Sequence, residues 1–121
     1  MNDQLMGKRR IVVLISGSGS NLQSFIDRCA DESINGTLVA VLSNRPGVKG
    51  LERAAAAAIP NIVVDHSSFE SRSEFDAALA DVIDSFSPDL VVLAGFMRIL
   101  TPQFVNRFLG RLINIPPSLL P

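Results

Sequence analysis

The chain has 121 residues, 47% of them hydrophobic, and a formal net charge of −1. That length and balance suit one domain with a modest core; they exclude the basic footprint of a nucleic-acid binder and the polybasic segment of an anionic-membrane binder. A single cysteine excludes a disulfide framework within the chain, and with no Trp or Tyr and the seven Phe set among aliphatic residues the chain does not read as a base-stacking surface.

Residues 1–9 are expected to form a flexible leader. Lys8-Arg9-Arg10 ahead of Ile11–Ile15 has the order of a signal peptide, but Ser16-Gly17-Ser18-Gly19 stops the apolar run too early for one. No stretch reaches the roughly 20 apolar residues of a membrane span. Ile11–Ile15 is short, apolar and β-branched, the pattern of a strand buried on both faces. Leu22, Phe25, Ile26 and Cys29 then recur at helical spacing. A second strand is predicted at Leu38–Leu42, a helix around Leu51–Ala58 closed by Pro60, and a brief third strand at Ile62–Val64. His66, the only histidine, reads as a loop residue.

The next helix has the clearest pattern. Phe75, Ala78, Leu79, Val82, Ile83 and Phe86 fall at i, i+3, i+4, i+7, i+8 and i+11, with Ser71 and Glu74 as a capping box and Pro88 just beyond the end. Leu90–Leu93 is a fourth strand, Thr101-Pro102 opens a short helix, and Leu112–Ile115 is a fifth strand. Strands alternating with helices imply an α/β fold: a Rossmann-like parallel sheet with right-handed crossovers and helices on both faces. Ligands of such sheets bind outside the carboxyl ends of the strands, which here carry Ser16–Asn21, Ser43–Arg45, Gly95–Arg98 and Asn114–Pro116.

Ser16-Gly17-Ser18-Gly19-Ser20-Asn21 joins the first strand to the first helix. Its glycines permit a sharp turn and close approach, and unpaired N–H groups at a helix start favour an anion, phosphate above all. The loop lacks the lysine of a P-loop, and the dinucleotide fingerprint wants a small residue where Leu22 sits and an acid where Ser43-Asn44-Arg45 stands. A nicotinamide-binding domain, with Arg45 tolerating a 2′-phosphate, and a ligand-free cap loop are the competing readings of these residues. Arg72, in a helix's first turn, reads as a solvated surface residue, Arg98 as a ligand or salt-bridge partner, and Asn114 as a site residue or a strand-end residue satisfying loop backbone.

Three blocks resemble the phosphoribosylglycinamide formyltransferases: Ile15-Ser-Gly-Ser-Gly-Ser-Asn-Leu-Gln23, Val91-Val-Leu-Ala-Gly-Phe-Met-Arg-Ile-Leu100 and Asn114-Ile-Pro-Pro-Ser-Leu-Leu-Pro121. The resemblance implies the formyltransferase fold and transfer of a formyl group from 10-formyltetrahydrofolate to glycinamide ribonucleotide in purine biosynthesis, in the cytoplasm and with no metal. It implies that Gly19, Ser20 and Asn21 hold the substrate phosphate. Arg72 would contact the folate, and Met97, Arg98, Ile99 and Leu100 would line its pterin pocket largely through backbone groups. Asn114 would face the folate and hydrogen-bond the formyl oxygen as it becomes an oxyanion. Two departures stand out. The family motif reads Asn-Ile-His-Pro-Ser, and its histidine position is Pro116 here; the family also continues into a second half that supplies an aspartate. The expectation is therefore a single truncated amino-terminal domain, with the carboxy-terminal part missing, that is impaired or inactive alone. It is expected to expose part of Leu112, Ile113 and Ile115, to be marginally stable, and to pair with itself or with a full-length subunit. The alternative is a non-catalytic ribose-phosphate or nucleotide-binding module.

Overall fold

The computed structural model describes residues 8–115. Met1–Gly7 and Pro116, which carry most of the expected leader and the departure from the family motif, lie outside the described residues. The elements alternate as expected: β1 (Arg9–Ile15), α1 (Ser20–Ala30), β2 (Gly36–Ser43), α2 (Lys49–Ala56), β3 (Asn61–Val63), α3 (Arg72–Asp84), β4 (Leu90–Leu93), α4 (Pro102–Arg107) and β5 (Leu112–Asn114), with one 3-10 turn at His66–Ser68 before α3. Arg9, expected in the leader, instead opens β1, because its N–H bonds the Asn35 carbonyl and its Cα pairs with Gly36. Ladder pairing extends β1 and β2 beyond their apolar runs, a contribution that side-chain pattern does not reveal.

All four strand pairings are parallel, in the order β3-β2-β1-β4-β5. β1 is central, and its run is apolar throughout because both faces are covered. Ile11, Val13 and Ile15 pack with Leu22, Phe25 and Ile26 of α1 and Ala54 of α2. Val12 and Leu14 pack on the other face with Phe75, Leu79 and Ile83 of α3 and Phe104 of α4. A register shift between Ile11 and Val12 inserts Val39 as an extra residue in β2, so Leu38 faces the first cluster while Val39 and Ala40 both face the second.

The cap signals are realised in part. Ser71 Oγ accepts the Glu74 N–H at 3.1 Å, but Glu74 reaches back to the N–H of Glu70 rather than that of Ser71, so the box is displaced by one residue. Thr101 Oγ1 accepts the Phe104 N–H at 3.2 Å, with Pro102 in the first turn of α4. β1 and β4 lie side by side although two strands and three helices separate them in sequence. The chain reverses direction across the sheet there, making the crevice where such folds bind ligands.

Candidate functional site

The site is built outward from the crevice. Gly19 is the N-cap of α1 with φ of 73°, and no side chain caps the helix. A Cβ at Gly19 would stand 2.7 Å from the Gly50 Cα, so dihedral and space both demand glycine. Gly17 has open space around it and no positive φ. Gly19 thus makes a close approach to α2, while Gly17 lines the open depression. While α3 and α4 use a hydroxyl cap, α1 has Ser18 and Ser20 beside its cap and uses neither. The N–H groups of Ser20 and Asn21 make no hydrogen bond among the described residues. Together with the helix dipole they form an electropositive mouth.

α2 grips the back of this loop. Gly50 donates its N–H to the Gly17 carbonyl at 3.1 Å. Arg53 donates Nε to the Ser18 carbonyl at 2.7 Å and Nη1 to Gln23 Oε1 at 3.3 Å. On its other side the loop walls a depression of about 280 Å³, completed by Arg45 from the end of β2 and by Ala94, Gly95 and Met97 beyond β4.

Ser16 joins the halves of the crevice. Its buried hydroxyl donates to Asn44 Oδ1 at 2.6 Å and accepts the Met97 N–H at 2.8 Å. Asn44, also buried, meets His66, whose Nδ1 lies 2.9 Å from the Asn44 carbonyl oxygen and 3.2 Å from Nδ2. A protonated Nδ1 donates to the carbonyl and a bare one accepts from the amide. The histidine also sits edge-on to Phe75, ring centroids 6.4 Å apart. His66 thus lies in the 3-10 turn and supports the strand ends, more than the loop residue expected.

The segment after β4 is pinned at three points: Met97 N–H on Ser16, Arg98 over the Phe75 ring at 5.6 Å, and Thr101 N–H on Asp76 Oδ2 at 2.6 Å. Arg98 has no salt bridge among the described residues, so the ring takes the place of the ion-pair partner allowed for it. Between the pins, the backbone groups of Arg98, Ile99 and Leu100 make no hydrogen bond with another described residue. Met97 and Ile99 project outward, 80% and 72% exposed, while Leu100 packs on the α3–α4 core. The Met97 N–H is engaged within the protein, so of the four residues expected to offer backbone groups, it offers at most a carbonyl.

Arg72 opens α3, exposed and free of ion pairs among the described residues, one turn before the Asp76 that holds Thr101. Asn114 ends β5, exposed, in register with Leu93. The sheet therefore brings Gly19, Ser20, Asn21 and Met97 to one depression, with Arg98, Ile99 and Leu100 beside it, while Arg72 and Asn114 do not line it.

A sequence profile of the formyl transferase family matches residues 9–121. The chain belongs to the formyl transferase family. It is 56% identical over 111 residues to phosphoribosylglycinamide formyltransferase of Escherichia coli (strain K12), covering 92% of this chain and 52% of that protein. Over 116 residues it is 50% identical to the trifunctional purine biosynthetic protein adenosine-3 of Drosophila melanogaster, covering 94% of this chain and 9% of that one. The crystal structure of glycinamide ribonucleotide transformylase 1 from Symbiobacterium toebii superposes with a TM-score of 0.85 at 40% identity, covering 92% of this chain and 54% of that one. The chain thus spans about half the length of the single-function relative. Family membership accounts for the parallel five-stranded sheet and its helices.

Of three residues that shape the crevice within this formyl transferase fold, the sequence pattern set Ser16 and Asn44 at strand ends without a role for either, and passed over Arg53. Ser16 and Asn44 stand at strand carboxyl ends, a positional signal shared with every residue there. Arg53 carries no signal at all, since a helix-surface arginine is ordinary.

Proposed function

We propose that this chain forms the phosphate-binding and folate-facing part of a phosphoribosylglycinamide formyltransferase, a one-carbon transferase of cytoplasmic purine biosynthesis. The observation that supports it most is the uncapped first turn of α1 at Gly19, whose Ser20 and Asn21 line a depression with room for a phosphate group. The N–H of Ser20 and of Asn21, with the Asn21 amide beside them, would hold the phosphate of glycinamide ribonucleotide. The unpaired backbone of Arg98, Ile99 and Leu100 fits a flat heterocycle rich in donors and acceptors, as a pterin is. Bound there, 10-formyltetrahydrofolate would supply the formyl group. Arg72, exposed at the start of α3, would contact the folate.

Asn114 would donate its amide hydrogens to the formyl oxygen as negative charge gathers on it. Proton traffic is where the chain departs from the family. The attacking amine must lose a proton and the departing folate nitrogen must gain one, and Pro116 offers neither a titratable group nor a backbone N–H. Loss of general acid–base help costs about 10²–10⁴-fold. Residues 1–121 alone are therefore expected to bind substrate without measurable turnover, and Pro116→His alone is not expected to restore it. Calorimetric titration with glycinamide ribonucleotide and NADPH, alongside a formyl-transfer assay of both proteins, tests this. Saturable binding of the ribonucleotide and not of NADPH is the expected result; ready turnover by the unmodified chain, or no ribonucleotide binding, overturns it.

A further inference from the structure

The geometry points to Arg53 as the positioning residue that turns the phosphate loop's N–H groups toward their ligand, an inference that rests on the phosphate reading above and deepens it. Arg53 does not line the depression, nor does any other residue of α2. It works from behind. The Ser18 carbonyl is held on Arg53 Nε at 2.7 Å and the Gly17 carbonyl on the Gly50 N–H at 3.1 Å. In a trans peptide the C=O and the following N–H point in opposite directions. Drawing these two carbonyls onto α2 therefore turns the N–H groups of Ser18 and Gly19 away from α2, which does not line the depression. Neither N–H has a partner among the described residues. They join those of Ser20 and Asn21 in a concave array of donors, the arrangement that suits the oxygens of a phosphate monoester.

Arg53 is itself held in place. Its Nη1 rests on Gln23 Oε1 at 3.3 Å, and Gln23 is anchored one turn further along α1 by Asp27 at 3.0 Å. Its Cδ lies 3.4 Å from where a Gly19 Cβ would be, so its stem also packs beneath the loop. A loop held in its binding geometry before the ligand arrives loses less affinity to ordering. Without Arg53 the Ser18 peptide is free to rotate, and the ligand must select the competent rotamer.

The test uses ¹⁵N-labelled 121-residue chain, with glycinamide ribonucleotide as the probe. Arg53→Ala is expected to shift or broaden the ligand-free amide resonances of Ser18–Asn21 and to raise Kd about tenfold, equivalent to about 1.4 kcal/mol. Arg53→Lys, which keeps a donor for the Ser18 carbonyl, is expected to recover most of the affinity. Should Arg53→Ala not fold, Gln23→Ala removes the guanidinium's second anchor and is expected to move the same resonances less. Tight binding by the unmodified chain with Kd and ligand-free amides unchanged in the variant that folds overturns the positioning role alone. Weakened binding with unmoved ligand-free amides also overturns it, by making Arg53 a direct ligand. No binding by the unmodified chain takes down the phosphate reading beneath it.

Discussion

A single buried hydroxyl, Ser16 Oγ, ties the glycine loop to the segment after β4, accepting the Met97 N–H while donating to Asn44. Replacing it with alanine takes this partner from the Met97 N–H and from the buried Asn44 amide oxygen, a loss of about 1–3 kcal/mol for a buried group so stranded. Ser16→Ala is expected to lower the urea midpoint and to speed hydrogen exchange at the Met97 amide more than at the amides of β2. Unchanged exchange at Met97 would show that the hydroxyl does not hold it. Residue types suggested an anion site at this loop but left a ligand-free cap loop open, since a glycine at a helix start also serves close packing, as Gly19 does against Gly50. They did not mark Ser16 and Asn44 as a pair, because hydrogen-bond partners 28 positions apart leave no periodic trace.

Among the elements, the 3-10 turn at His66–Ser68 shows how a short piece of structure depends on one carboxylate. Asp65 Oδ1 accepts both the Ser67 N–H at 2.9 Å and its hydroxyl at 2.7 Å. The Ser67 hydroxyl first, and its N–H second, hold the Asp65 carboxyl below its ordinary pKa. The folded state therefore binds that proton less readily than the unfolded state does, so the cap contributes fully above the unfolded value of about 3.9 and is lost as pH falls through the lower folded value. Asp31 with Ser33 repeats the arrangement after α1 and acts with the same sign. Asp65→Asn is expected to make acid unfolding below about pH 4 less steep while leaving the slope near neutrality unchanged, measurable by circular dichroism against pH. A steeper acid limb would contradict the cap. Of the longer elements, α3 was the most legible, because its apolar stripe is continuous and its serine cap and following proline agree. Strand ends were less so, since β1 and β2 extend through ladder bonds that side chains do not announce.

Across the described residues, both faces of the sheet are covered and β5 is an edge strand with no neighbour beyond it. Ile113 is 41% exposed and Leu109 74%, while Leu112 and Ile115 are partly buried, as expected for the last strand. An apolar edge with unpaired strand groups invites pairing with another chain. Ile113→Lys is expected to reduce concentration-dependent light scattering on warming, with little change in the dilute-solution melting temperature; equal scattering would place the association elsewhere.

Periodicity in the chain was enough to establish strands, helices and their alternation, because burial on one or two faces constrains each element locally. Composition at the strand ends, with the motif resemblance, was enough to point to a phosphate cradle and a folate-facing segment. Folding alone decided which loops meet. The order β3-β2-β1-β4-β5 sets the ends of β1 and β4 side by side, and folding lays α2 behind the glycine loop. Neighbours in the sheet are selected by packing summed over the whole core, so Ser16 and Met97, 81 positions apart, become partners only once that order exists.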